Sequence, residues 1–235
     1  MFDFNAYLHY LVNPFLLGGV GITIGLTLVT ILIGMVLALP LALGRMSSSP
    51  WFSAPARFYV WVFRGTPLLV QIVLIYAGLP QLGIRFDVMT SAVLALSLNE
   101  AAYLSETIRS GFSAIAKGQI EAAKALSLSR IATLRLVTLP QVIRIIIPPL
   151  GNSVNGLLKA TSLASVISME ELMRRSQVLM QTKFETLELY CVAATFYLVL
   201  TTVWDLVQVR LERHYGKGYA QEKRVVRMPQ AAAAV

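Results

Sequence analysis

GGVGITIGLTLVTILIGMVLALPLALG, Gly18 to Gly44, contains no charged residue, and none occurs between Asp3 and Arg45. A helix of about 20 apolar residues crosses the hydrocarbon core of a bilayer, so this stretch reads as a membrane span. The whole chain carries the same signature. Of its 235 residues, 56% are hydrophobic and 14% charged, with a mean hydropathy of +0.67; average soluble domains are about a quarter charged. A soluble protein with a large buried core is the competing reading, and the long uncharged run argues against it. The expected fold class is an all-α membrane protein.

Inside this span Gly21 and Gly25 form a GxxxG pattern, with Gly18 and Gly34 also present. Small residues let helix backbones approach in lipid, so a helix packed against a neighbour is expected. Upstream, MFDFNAYLHYLVNPF lacks the basic region and small-residue cleavage site of a secretory signal. The first span is expected to serve as both targeting signal and permanent helix.

Downstream, four more spans are expected. The second runs from Phe58 to Leu79 and holds FRGTPLLVQ, where Arg64, Gly65, Thr66 and Pro67 suit an irregular helix better than a simple anchor. Irregular backbone at membrane depth needs cover from protein or a wet cavity, which makes Arg64 and Thr66 candidates for a gate element. The third, Val88 to Ile108, is only partly oily and includes Asn99, Glu100 and Glu106, with Arg109 following. The fourth, Val142 to Val166, is interrupted by Pro148, Pro149, Gly151 and Gly156 and carries Lys159 near Thr161. SMEELMRRSQVLMQTKFET then has the charge and length of an amphipathic interfacial helix, and Leu187 to Val209 is the fifth span. One domain, residues 1–235, is expected, with a core at 18–213 and a basic tail at 214–235 whose last ten or so residues are disordered.

Five spans place the termini on opposite sides. With the N-terminus outside, the cytoplasmic segments hold Arg45 and Arg57, then Arg109, Lys117, Lys124, Arg130, Arg135 and Arg144, then the basic tail; the outer segments hold Arg85, Arg174, Arg175 and Lys183. The excess favours N-out, C-in. The net charge of +8 is therefore read as a topology signal and not as a nucleic-acid surface. The single Cys191 has no internal disulfide partner, His9 and His214 lie at opposite ends, and no metal-ligand cluster or nucleophile–base set is present. An enzyme is not expected, and no metal site.

One segment between spans is different: EAAKALSLSRIATLRLVTLPQ, Glu121 to Gln141. Lys117 and Glu121 are placed to pair on one helix face. Ser127 and Ser129 can interrupt a first helix and cap a second. Leu128, Ile131 and Leu134 recur at spacing three, with Lys124, Arg130 and Arg135 around them, and Pro140 is expected to close the segment. The result is a helix–turn–helix on the cytoplasmic side, either an amphipathic loop snorkelling toward headgroups or a docking surface for a protein.

Glu121, Ala122, Ala123, Ser127, Val137, Leu139 and Pro140 resemble, at matching spacing, the EAA loop of ABC importer permeases. Ser127 stands where that family usually has glycine, and Val137 where isoleucine is common. FRGTPLLVQ, SLNEAAYLSETIRSGF and KATSLASVISMEEL resemble the polar amino acid branch, the histidine and glutamine permeases among them. Together the matches cover most of Gly18 to Arg213 in the family's order. The resemblance implies a permease subunit of an ATP-driven importer of polar amino acids in the bacterial cytoplasmic (inner) membrane. It implies a second permease subunit, identical or homologous, a cytoplasmic ATP-binding subunit dimer that holds ATP and Mg, and an extracytoplasmic solute-binding protein. It implies a coupling helix that seats Glu121, with Ala122, Ala123, Ser127, Arg130, Leu139 and Pro140, against the ATPase. No cofactor is expected in this chain, where a GxxxxGK[ST] phosphate loop is absent.

For the substrate path the candidates are Asn99, Glu100, Arg64, Thr66, Lys159 and Thr161. An ionisable group inside a span is a functional hypothesis by default. The bland alternative for Glu100 is a structural pair with Arg64 or Arg109, and for Lys159 snorkelling to the outer interface. Glu121 is expected at the start of its helix, where a carboxylate is favourable. The competing functions are an ion-coupled secondary transporter, disfavoured because no internal repeat is found, and a membrane scaffold.

Overall fold

The computed structural model describes residues 2–216, and the tail expected to be basic and partly disordered lies largely outside them. The described residues form helices and no strand. In chain order these are α1 (Phe4–Leu11), α2 (Pro14–Met46), α3 (Pro50–Gly65), α4 (Leu68–Leu82), α5 (Val88–Ser113), α6 (Lys117–Ala125), α7 (Arg130–Ile167), α8 (Leu172–Lys183) and α9 (Thr186–Gly216).

α2 and α5 run parallel through the centre. Leu26 packs near Ala92, Ala95 and Leu96, Gly34 meets Glu100, and Ala38 and Ala42 meet Leu104 and Ile108. A Cβ at position 34 would lie 3.3 Å from Glu100 Cβ, so glycine sets this approach. The α2 glycines that pack are Gly18, Gly19, Gly34 and Gly44. Gly21 and Gly25 face open space, so the expected GxxxG contact is not made within the chain. α7 returns antiparallel to α5, with Val142 and Ile146 against Gly111 and Leu157 against Leu96. α9 runs back along α7, its Trp204 indole donating to the Gly151 carbonyl at 2.8 Å. One end of the bundle thus holds Arg45, the loop at 47–49, α6 and the end of α9; the other holds α1, Asp87 and the α8–α9 junction.

Three helices are long and apolar enough to cross a membrane alone, α2, α7 and α9, and α3 with α4 qualifies as a pair bent by 105°. The third expected span, α5, is 26 residues long but too polar to qualify. The reason is enclosure: its polar residues Ser91, Ser97, Asn99, Glu100 and Ser105 are buried against protein, not lipid.

Two expected interruptions do not occur. Pro148 and Pro149 lie inside a continuous helix, Leu139–Ala160; their missing N–H groups free only the carbonyls four residues earlier, those of Arg144 and Ile145. Pro140 does not close its segment either. A π turn at Thr133–Thr138 precedes it, with the Leu139 N–H reaching back to Leu134 O, and the wider turn carries the chain past the missing donor. The same device, Leu74–Gly78, precedes Pro80 in α4.

The stretch expected to lie at the interface forms α8, but it is fastened into the bundle. Its N-cap, Glu171, is fully buried. The Glu171 carboxylate accepts from the backbone N–H groups of Met173 and Arg174 at 3.0 and 2.8 Å and from the Tyr197 hydroxyl at 2.8 Å.

Candidate functional site

At the Arg45 end, α6 stops in a turn whose chemistry is legible residue by residue. Ser127 N–H donates to Lys124 O at 2.9 Å and Leu128 N–H to Ala123 O at 3.0 Å. This is the paired bonding of a Schellman helix end, which places its left-handed residue at Ser127, with φ of 56°. Glycine is the favoured residue there because it has no Cβ penalty. Ser129 then caps α7, its hydroxyl accepting from Ala132 N–H at 3.2 Å. A cleft of about 260 Å³ separates the two arms, lined by Ile120, Lys124, Leu128, Arg130, Leu134 and Thr138 among others.

The hairpin brings the loop candidates together, with two changes. Glu121 is at the middle of α6, not its start, because the helix begins four residues earlier at Lys117 with Ala116 as N-cap. The expected Lys117–Glu121 pair is not among the ion pairs of the described residues. Glu121 and Ala122 are exposed and Ala123 is buried. Arg130 opens α7, while Leu139 and Pro140 follow the π turn at the hairpin's base. Leu126 and Ile131, 75% and 64% exposed, put apolar surface at the tip.

The second constellation forms where α3 breaks from α4. A bend at Gly65–Pro67 frees carbonyls, and two amides take them up. Gln71 Nε2 donates to Phe63 O at 2.9 Å, Thr66 O at 3.1 Å and Thr66 Oγ1 at 2.8 Å; Asn99 Nδ2 donates to Phe63 O at 3.1 Å. The carbonyls beside the bend are thereby paired by amides from α4 and α5.

Beside this break a cavity of about 280 Å³ is lined by Leu68, Asn99, Glu100, Tyr103, Ser153 and Gly156 among others. Glu100 is only 8% exposed, and its Oε1 has no hydrogen-bond partner. Neither Arg64 nor Arg109 pairs with it. Both turn to Glu106, Arg109 at 3.0 Å and Arg64 at 3.7 Å, and Arg45 joins them at 3.1 Å. Arg64 also lies 5.2 Å over the Tyr103 ring at the cavity rim. A lone carboxylate with amide and hydroxyl neighbours is suited to an ammonium group. Two unit charges 4 Å apart attract by about 4 kcal/mol at an effective dielectric of about 20, against about 1 kcal/mol in water.

Of the other path candidates, Thr66 is part of the break. Lys159 is exposed near the far end of α7 and does not line the cavity. Thr161 is fully buried, its hydroxyl donating to Leu158 O at 2.8 Å, and it does not line the cavity. Sequence reasoning missed Gln71 and Ser153. The signal for Gln71 was an amide closing an apolar run, four residues after Pro67.

The chain as a whole is similar to known proteins. The probable amino-acid ABC transporter permease protein YckA of Bacillus subtilis is 37% identical over 90% of this chain and 94% of its own length. The arginine transport system permease protein ArtQ of the same organism is 39% identical over 90% and 96%. The crystal structure of an amino acid ABC transporter with histidines superposes with a TM-score of 0.85 and 36% identity, covering 91% of this chain and 99% of that one. Residues 30–217 match the family model described as binding-protein-dependent transport system inner membrane component. With most of its length matched, the chain belongs to the binding-protein-dependent transport system inner membrane component family.

Proposed function

We propose that this chain is a permease subunit of an ATP-driven amino acid importer, and that Glu100 marks its substrate path. The observation that carries the reading is the nearly buried Glu100 carboxylate, whose Oε1 has no hydrogen-bond partner among the described residues, in a cavity beside a helix break. Free amino acids each carry an ammonium group, and relatives named for arginine and for amino acids fit that chemistry.

In this reading the Arg45 end faces the cytoplasm. It gathers Arg45, Arg109, Lys117, Lys124, Arg130, Arg210 and Arg213, as the positive-inside tendency favours. The hairpin from α6 into α7 seats in an ATP-binding subunit, one of a pair that bind ATP and Mg; the exposed Leu126 and Ile131 supply apolar contact and the basic residues register. A second permease subunit completes the path, and a solute-binding protein delivers substrate at the Asp87 end.

Uptake into vesicles holding the reconstituted complex tests the proposal. Uptake should require ATP inside. Uptake that needs only an ion gradient would establish secondary transport instead. Within the ATP-dependent case, Glu100→Gln should assemble normally and take up a cationic amino acid several-fold more slowly than wild type. Unchanged kinetics with basic, neutral and acidic amino acids would remove Glu100 from the path.

A further inference from the structure

Outside the hairpin and the Glu100 cavity, two apolar depressions meet on the face formed by α2, α7 and α9. One, about 200 Å³, is lined by Ile31, Met35, Ile147, Leu150 and Leu211 among others. The other, about 160 Å³, is lined by Ile24, Leu28, Leu158, Leu200 and Val203 among others. Val154 and Trp204 line both, so the two form one continuous groove.

Its floor is fixed. The Trp204 indole donates to the Gly151 carbonyl at 2.8 Å. A Cβ at position 151 would sit 2.3 Å from Gln208 Cδ. α9 already rests against bare backbone there and cannot settle deeper to close the groove.

Its length is informative. It extends from Ile147 to Leu158 on α7 and from Leu200 to Leu211 on α9. At 1.5 Å per residue that is about 16 Å, against about 15 Å for one leaflet of the hydrocarbon core. An acyl chain of a phospholipid has this reach. A helix, about 10 Å across, would rest on the rim and not enter.

Its end is charged. Positions 144, 147, 151, 154 and 158 advance by three and four, which keeps them on one face of α7, so the groove's stripe terminates at Arg144 on the Arg45 end. Arg210 and Arg213 flank Leu211 on α9. Among the described residues, no carboxylate lies within 4.0 Å of any of these three guanidinium groups.

We infer that the groove binds one anionic phospholipid, an acyl chain lying along Val154 and Trp204 and the phosphate held at Arg144. Arg210 and Arg213 add to the positive field at the headgroup. The bound lipid fills the seam between α2 and α9, over α7, that the helices leave open.

The test uses the full-length chain purified in detergent and equilibrated with phosphatidylglycerol or phosphatidylcholine, with retained lipid counted by native mass spectrometry. The expected result is one phosphatidylglycerol held several-fold more strongly than phosphatidylcholine. Arg144→Gln should erase the preference, and Val154→Trp should expel the lipid. Phe58→Trp, on an exposed part of α3, which lines neither depression, should change neither. Equal retention of the two lipids, or a preference unaltered in Arg144→Gln, would overturn the proposal. Arg144 is exposed, so that variant reports even if Val154→Trp fails to fold. A second occupant is tested separately: disulfide cross-linking between copies carrying Val207→Cys in a Cys191→Ser background would make the groove a protein interface and would also overturn it.

Discussion

Gln71 Oε1 accepts a hydrogen bond from Asn99 Nδ2 at 3.0 Å, and both side chains donate to the same carbonyl oxygen, that of Phe63. Two amides from α4 and α5 thus close the backbone that the α3–α4 bend opens. Gln71→Leu leaves one N–H of the buried Asn99 amide without its acceptor, and a buried polar group left unsatisfied costs about 1–3 kcal/mol. The thermal midpoint of the purified chain should fall accordingly. Asn99→Leu should act in the same direction, and the double variant should lose less than the sum, because members of one network do not add. Strict additivity would show that the two amides act separately.

Ser127 holds a left-handed conformation that costs an L-residue about 1–2 kcal/mol. Ser127→Gly should therefore stabilise the hairpin by about 1 kcal/mol, and Ser127→Val should loosen it. Amide hydrogen exchange across Lys117–Thr138 measures this directly. Slower exchange in the glycine variant is expected; faster exchange would mean that the serine hydroxyl contributes more than the backbone strain removes.

Asp87 caps α5, accepting from Thr90 N–H and from the Thr90 hydroxyl, each at 2.8 Å. These bonds, the backbone N–H foremost, hold its pKa below the usual carboxylate range. The ionised form is thus favoured by folding. Its contribution is present above the unfolded pKa of about 3.9 and is lost as pH falls through the depressed folded value. Asp87→Asn keeps a cap acceptor but cannot titrate, so its thermal midpoint should decline less steeply below about pH 4. Parallel acid profiles for the two chains would assign the acid sensitivity elsewhere.

Glu121 is exposed and makes no ion pair among the described residues. Glu121→Lys should leave membrane yield and thermal midpoint unchanged while lowering transport at least tenfold, if the exposed face of α6 meets the ATPase. Normal transport by this variant would exclude the docking role.

Orientation is checked by single cysteines in a Cys191→Ser background. Ser48→Cys and Gly118→Cys should react with an impermeant thiol reagent only from the cytoplasmic side, and Ile84→Cys only from outside. Any of the three labelling from the opposite face overturns the N-out, C-in arrangement.

The long apolar helices were legible because hydropathy is a local property: α2 and α9 lie within a few residues of where their apolar runs predict. The break at Gly65–Pro67 was legible too, since glycine and proline act on their own backbone. What could not be read is what neighbours supply. Pro148 and Pro149 lie within an unbroken helix packed along α9, and Pro140 is carried by a π turn that no residue type announces. The hairpin's serine was identified as a position whose turn decides the shape, yet the sign of φ needed coordinates. Glu100 was singled out with two explanations open. The arginines that served the structural one turn out to meet Glu106, one to two turns away on the same helix, a choice that periodicity alone does not make.

The polarity of α5 has a consequence for how the protein is made. A helix carrying Asn99, Glu100 and Glu106 gains little from lipid, and α5 fails the measure of apolarity that α2 passes. α2 precedes it in the chain and supplies the parallel surface, from Leu26 to Ala42, that covers one side of α5; α7, which covers another, is synthesised later. During synthesis α5 therefore enters the bilayer as a partner of α2 and not as an independent segment. Its uncovered polar flank waits for α7, so the order of helices along the chain is also the order in which α5 becomes sheltered.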